Sequence, residues 1–241
     1  MAYVAISPTE SQIQTALRTF LLSILPAGTE VVEGQDNEVA EPVGSDFVIM
    51  TAIMRERLTT NIDTFNDNTF TGSISGNTLT ISSVGSGAVF VGSPVYGATV
   101  AAGTYVTAFG AGSGGVGTYT VSISQTVASG LIASGSTAFI NQTKLTIQLD
   151  VHGPNSPENS QIIGTLFRDE YATDIFAALN ANVCPLYADD PKQIPFVNAE
   201  QLVEERWVVD CVLQVDQTTI ATGQQFMTQV TIPLVPVPSG L

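Results

Sequence analysis

The sequence predicts an α+β protein: an antiparallel sheet with two main helices, in the order α-β-β-α-β-β, plus an all-β module inserted at the tip of one hairpin. Three observations carry this expectation. From Thr143 to Val151 the chain alternates strictly, with Leu145, Ile147, Leu149 and Val151 apolar and Lys144, Thr146, Gln148 and Asp150 polar, the period of a strand with one buried face. After the turn cluster His152-Gly153-Pro154-Asn155, apolar residues recur at steps of four (Ile163, Phe167, Tyr171, Ile175, Leu179), filled in by Ile162 and Leu166; that is the period of an amphipathic helix. Residues 68–143 contain no Asp, Glu, Lys or Arg yet hold 14 of the 21 glycines, so all 29 charges lie in the other 165 residues. Two compositional regimes in one chain predict two modules, residues 1–67 with 138–241 as the α+β domain and residues 68–137 as the insert.

Taken in order, Ser7-Pro8-Thr9-Glu10 fits a capping box with Ser7 as N-cap and Glu10 three positions on. Ile13, Ala16, Leu17, Phe20, Leu21 and Ile24 mark one helical face, and Pro26 with Gly28 ends it. Val31 and Val32 form a short strand before an acidic connector (Glu30, Glu33, Asp36, Glu38, Glu41, Asp46) that lacks the spacing of a metal loop. Phe47 to Phe65 is β-rich, apolar on both faces at first and polar from Arg55 onward; Arg55, Glu56 and Arg57 read as an exposed or interfacial stretch. In the uncharged segment, strands are expected at Thr78–Ser82, Ala88–Val91, Thr104–Ala108 and Thr118–Ser124, divided by glycine turns. If Phe47–Phe65 pairs antiparallel with Phe139–Val151, the module sits on a hairpin tip, where a longer loop adds only a slowly growing entropic cost. Ser156-Pro157-Glu158 reads as the start of the second helix, with Ser156 as N-cap. Trp207, Val209, Cys211, Leu213 and Val215 alternate as a strand, Thr218 to Gly223 is expected to turn, and Phe226 to Val235 to return. Prolines 233, 236 and 238 limit the end to an edge or an extended tail, and such an edge is suited to completion by a neighbouring subunit.

The formal net charge is −15, from 7 basic and 22 acidic residues. Broad nucleic-acid binding needs a basic patch, which this composition does not provide, whereas an acidic surface lets DNA pass without sticking. No basic region followed by an apolar run marks a signal peptide, and no stretch reaches the roughly 18 apolar residues of a membrane span; a soluble protein of the cytoplasm is expected. Cys184 and Cys211 match no metal spacing and read as unpaired thiols, Cys211 as a small core residue.

Chemistry is sparse. His152, the single histidine, lies near Asp150 and Ser156, but a serine cap and a turn histidine explain them more simply than a nucleophile-base-acid set. Glu204-Glu205 and Asp189-Asp190 are sequence neighbours, which point to opposite sides of an extended chain. Asn66-Asp67-Asn68 lacks the glycine and the distant Glu of a calcium loop, and none of the glycines in the uncharged segment precedes a helix or a Lys-Ser/Thr pair as in a phosphate loop. No catalytic, cofactor-binding or metal-binding residue is expected, and the protein is not expected to be an enzyme.

The flanking halves resemble the tail-terminator and neck-terminator proteins of tailed bacteriophages. The resemblance covers residues 5–65 and 139–238 and rests on the capped first helix, on VIMTAIMRERLTTN, on TKLTIQLDVHGPNSPENSQIIGTLFRDEYATDIFAAL with Arg168-Asp169, and on WVVDCVLQVD with QQFMTQVTIPLVPV. Residues 68–138 depart from the short hairpin that the family implies and look like the glycine- and threonine-rich β modules of phage tail and capsid proteins. The resemblance implies a virion structural protein, assembled in the host cytoplasm, that forms a homo-oligomeric ring, usually a hexamer, at the head-tail junction. Its implied partners are the neighbouring head-connector and tail proteins, with DNA passing transiently through an acidic lumen and no membrane involved. A tail-tube or baseplate-hub component, or an adhesin-like module binding through the insert, are the other readings.

Overall fold

A computed structural model describes residues 3–34, 42, 44–179, 181–197 and 203–222. The elements are β1 (Tyr3–Ser7), α1 (Glu10–Ile24), β2 (Glu30–Glu33), β3 (Phe47–Arg57), β4 (Ile62–Ser86), β5 (Tyr96–Gly97), β6 (Val106–Phe109), β7 (Gly117–His152), α2 (Ser156–Phe167), α3 (Glu170–Leu179), β8 (Val183–Ala188), β9 (Lys192–Gln193), β10 (Phe196–Val197), β11 (Val203–Glu204) and β12 (Arg206–Thr222). Of the described residues, 56% lie in strands and 18% in three helices. Ten strands form one mixed sheet with the path β1-β12-β7-β3-β2; β4, β5 and β6 add to β7, while β8 and β9 add to β12. The fold is therefore mainly β, and the expected α+β arrangement of an antiparallel sheet with two helices and a small insert is incorrect.

Each departure has a local cause. The sheet is mixed because β2 runs parallel to β3, with Glu30 opposite Phe47 and Glu33 opposite Met50. The long second helix is two helices because Asp169 starts a new one: its carboxylate accepts the Tyr171 N–H at 3.1 Å and its carbonyl accepts the Ala172 N–H. The uncharged segment contributes β4, β5 and β6 to the same ladder as β7, so its strands are not a separate small sheet. Ala88–Val91 is not a strand, and β12 runs on through Thr222 where a turn was expected. The returning strand Phe226–Val235, the proline-rich end and the acids at 36, 38 and 41 lie outside the described residues.

The helix starts also differ from expectation. Ser7 is the last residue of β1, and Thr9 caps α1 instead: its hydroxyl accepts the Gln12 N–H, while the Gln12 side chain accepts the Thr9 N–H. At α2 the cap position is Asn155, whose backbone and side-chain N–H groups bind the Asp46 carboxylate. Ser156 is the first helical residue, fully buried, and its hydroxyl has no hydrogen-bond partner among the described residues. The two serine-threonine positions should therefore respond oppositely. Thr9→Ala is expected to lower stability by about 1 kcal/mol. Ser156→Ala is expected to be neutral or slightly stabilising, because it removes a buried polar group without breaking a bond. Urea unfolding midpoints of the two variants test this, and a destabilised Ser156→Ala would show that the hydroxyl has a partner.

The contacts divide the chain into two compact units. One holds residues 5–63 and 139–219 and contains all three helices. Its sheet obeys the expected alternation: Leu145, Ile147, Leu149 and Val151 of β7, Val48 and Met50 of β3, and Val209, Cys211, Leu213 and Val215 of β12 pack in one cluster with α1, α2 and α3. Phe20 touches both Phe167 and Phe176 at ring-centroid distances of 5.7 Å. β3 and β7 pair antiparallel from Phe47↔His152 to Arg57↔Thr143, as expected for these segments. The other unit holds residues 64–138, with 3–4 and 220–222 among the described residues. It has its own core, including Phe70, Ile74, Leu79, Ile81, Val106, Tyr119, Val121 and Ile132. Within it β4 doubles back at Gly76 (φ 61°), so that the Thr69 N–H reaches the Ser86 hydroxyl and the Ser82 hydroxyl donates to the Thr71 carbonyl.

Candidate assembly surface

In the helical unit, among the described residues, the outer side of β3 is only partly covered. β2 pairs with β3 only as far as Met50, where Gly34 N–H adds a last bond to the Met50 carbonyl. Beyond it, among the described residues, the outer edge of Thr51–Arg57 has no strand beside it. A bulge between Ala52 and Met54 turns the strand there, and every residue from 52 to 63 is exposed. Four of them are large and apolar: Ile53, Met54, Leu58 and Ile62 are 46–52% exposed. An unpaired strand flanked by apolar side chains is a template for a second chain. The opposite side of the unit is blunted differently, because β8 carries Pro185 and a bulge between its partners Val212 and Leu213.

The charges beside this edge are engaged. Arg55 pairs with Glu10 at 2.6 Å and reaches Gln217, and Lys144 pairs with Glu56 at 2.8 Å. The hydrogen bond to Glu56, and then its charge, raise the Lys144 pKa above the ordinary lysine value. Arg57 donates to the Thr59 carbonyl and the Asn61 side chain. Elsewhere Arg168 pairs with Asp190, Lys192 with Asp189, Arg206 with Asp150, and Arg18 donates to the Val31 carbonyl. All seven basic side chains are thus committed within the chain, against 22 acids. The basic side chains are outnumbered about three to one by acids and each lies beside a partner, which does not make the basic patch that tracking a phosphate backbone needs.

The residues that carried a catalytic alternative are placed apart chemically. The Asp150 carboxylate accepts two bonds from the Arg206 guanidinium, and the His152 ring stacks on Phe47 at a centroid distance of 4.6 Å. The Ser156 hydroxyl makes no bond to His152. The Asn68 amide is used by the Ala88 carbonyl, and no group of three or more His, Cys, Asp or Glu side chains among the described residues is arranged to hold a metal. Cys211 is buried and burial raises its thiol pKa strongly, whereas Cys184 is exposed; neither is in a disulfide. No helix among the described residues is long and apolar enough to cross a membrane. Arg55-Glu56-Arg57 is exposed as expected, but the apolar side chains around it do not follow a two-residue period and were missed as a group.

A family model described as phage neck terminator protein matches residues 99–237, more than half of the chain. The chain belongs to the phage neck terminator protein family. This terminator is a structural protein of the bacteriophage virion neck, as the motifs around β7, α2 and β12 implied. The match runs from the uncharged segment through β7, both later helices and β12, so it includes parts of both compact units. No curated protein matches the terminator.

Proposed function

We propose that copies of this chain assemble into a closed ring, a hexamer as the resemblance implied, at the head-tail junction, and that DNA passes through its acidic lumen. Family membership carries this reading, and the unfilled β3 edge with Ile53, Met54, Leu58 and Ile62 beside it supports it. A head-to-tail contact between unlike edges closes into a ring when the rotation per copy divides a full turn. Acidic walls with every cation already paired repel the DNA backbone, so the duplex slides through rather than binding. The ring is assembled in the host cytoplasm, touches the head connector on one side and tail proteins on the other, and carries out no catalysis. Some sheet edges are completed by neighbouring subunits in this scheme.

Light scattering and particle images of the purified chain test the proposal. Rings are expected, and truncation before residue 232 is expected to weaken them while each copy stays folded. A wild-type chain that remains monomeric at high micromolar concentration sinks the ring; glycan-binding monomers would replace it with the adhesin-like reading.

A further inference from the structure

We propose that neighbouring copies of the chain touch through the uncharged β module, at an apolar knob made by Val84 and Val116; the inference rests on the ring reading above. The knob is held in place by a braced loop. The Gly114 N–H donates to the Tyr119 hydroxyl at 3.0 Å, and that hydroxyl donates to the Gly115 carbonyl at 2.6 Å. Gly110 N–H binds the Thr118 carbonyl, and Ala111 N–H binds the Thr118 hydroxyl. Gly117 (φ 148°) lies so close to Gly112 that a Cβ there would stand 2.4 Å from the Gly112 Cα. This bracing leaves Val116 61% exposed, and Val84, 40% exposed, lies beside the same loop, with a methyl 3.9 Å from a Cβ position at Gly115.

Two properties make this a contact surface. Charged residues are depleted from the centres of protein interfaces, and residues 68–143 contain none. Apolar side chains on a rigid loop lose little freedom when covered, so more of their burial appears as binding. The occupant is a second copy for an electrostatic reason. The chain carries −15, all of it outside this segment, so copies that met through the charged surfaces would oppose acid with acid. The module allows two copies to approach with no like charges across the contact.

The test uses the full chain, with self-association measured by light scattering at about 0.1 M and about 1 M sodium chloride, between which the screening length falls from about 10 Å to about 3 Å. Wild type is expected to keep one mass at both salts, because an uncharged contact is not screened. Val84→Glu with Val116→Glu is expected to associate at least about tenfold more weakly at both salts, because a carboxylate pressed against an uncharged surface loses its water without gaining a partner. Val116→Glu alone, at the more exposed position, serves if the double variant does not fold. Wild-type rings from a folded variant at both salts overturn the knob contact and leave the ring reading standing. A monomeric wild type overturns both.

Discussion

Phe20→Ala is expected to lower stability by about 3–5 kcal/mol and the unfolding midpoint by roughly 10 °C or more. Phe20 is fully buried on α1 and meets Phe167 of α2 edge-on and Phe176 of α3 at a tilt, each at 5.7 Å. Phe167 and Phe176 also meet edge-on at 6.4 Å. Removing one ring leaves a void shared by three helices, which backbone movement can close only in part, because each helix is also anchored on the sheet through Leu17, Ile163 and Ala172. Tyr171→Ala, on the exposed side of α3, is the control and is expected to stay within about 0.5 kcal/mol. The helical unit's transition, followed by far-ultraviolet circular dichroism, checks the pair. A loss below about 1 kcal/mol for Phe20→Ala would mean that the rings do not pack as described.

Removal of residues 64–138, joining Asp63 to Phe139 through Asn-Gly, is expected to leave a cooperatively folding chain that no longer self-associates through the module. None of the residues in the helical unit's core lies in the deleted stretch. The remaining arms are already close: the Leu58 N–H donates to the Gln142 carbonyl at 3.0 Å, and the Thr59 hydroxyl reaches the Gln142 side chain. A two-residue Asn-Gly turn suits the twist of such a ribbon, and shortening the loop lowers the entropy lost on closing it. A broad, non-cooperative transition in the deletion variant would show that β4, β5 and β6 stabilise the helical unit and that the uncharged segment is not a separable module.

How much was legible in the sequence differs from element to element. The alternation of Leu145, Ile147, Leu149 and Val151, and of Val209, Cys211, Leu213 and Val215, correctly named the core face of β7 and β12. The face of α1 was equally plain in Ile13, Ala16, Leu17, Phe20 and Leu21. The caps were less so. Ser7, Thr9 and Ser156 are all chemically able to cap, and the choice depended on whether the residue was already committed to a strand, as Ser7 is to β1. The break between α2 and α3 was hidden because the apolar steps of four continue across Arg168-Asp169, while the break itself is made by the Asp169 carboxylate and by Arg168 donating to the Ala188 carbonyl of β8.

By itself the sequence determined the burial faces of α1, β7 and β12, though not that of α3, where Tyr171 and Leu179 are exposed, together with the uncharged character of residues 68–143 and, through its motifs, the neck terminator family. These follow from side-chain period and composition, which are properties of short stretches of chain. Only the tertiary structure decided that β2 lies parallel to β3, that the strands of the uncharged segment join the ladder of β7, and that, among the described residues, the outer side of β3 has no strand beside it beyond Met50. Each of these depends on which distant backbone meets an edge. Backbone N–H and C=O groups are the same at every residue, so local pattern can specify which face of a strand is buried but not which strand will lie beside it.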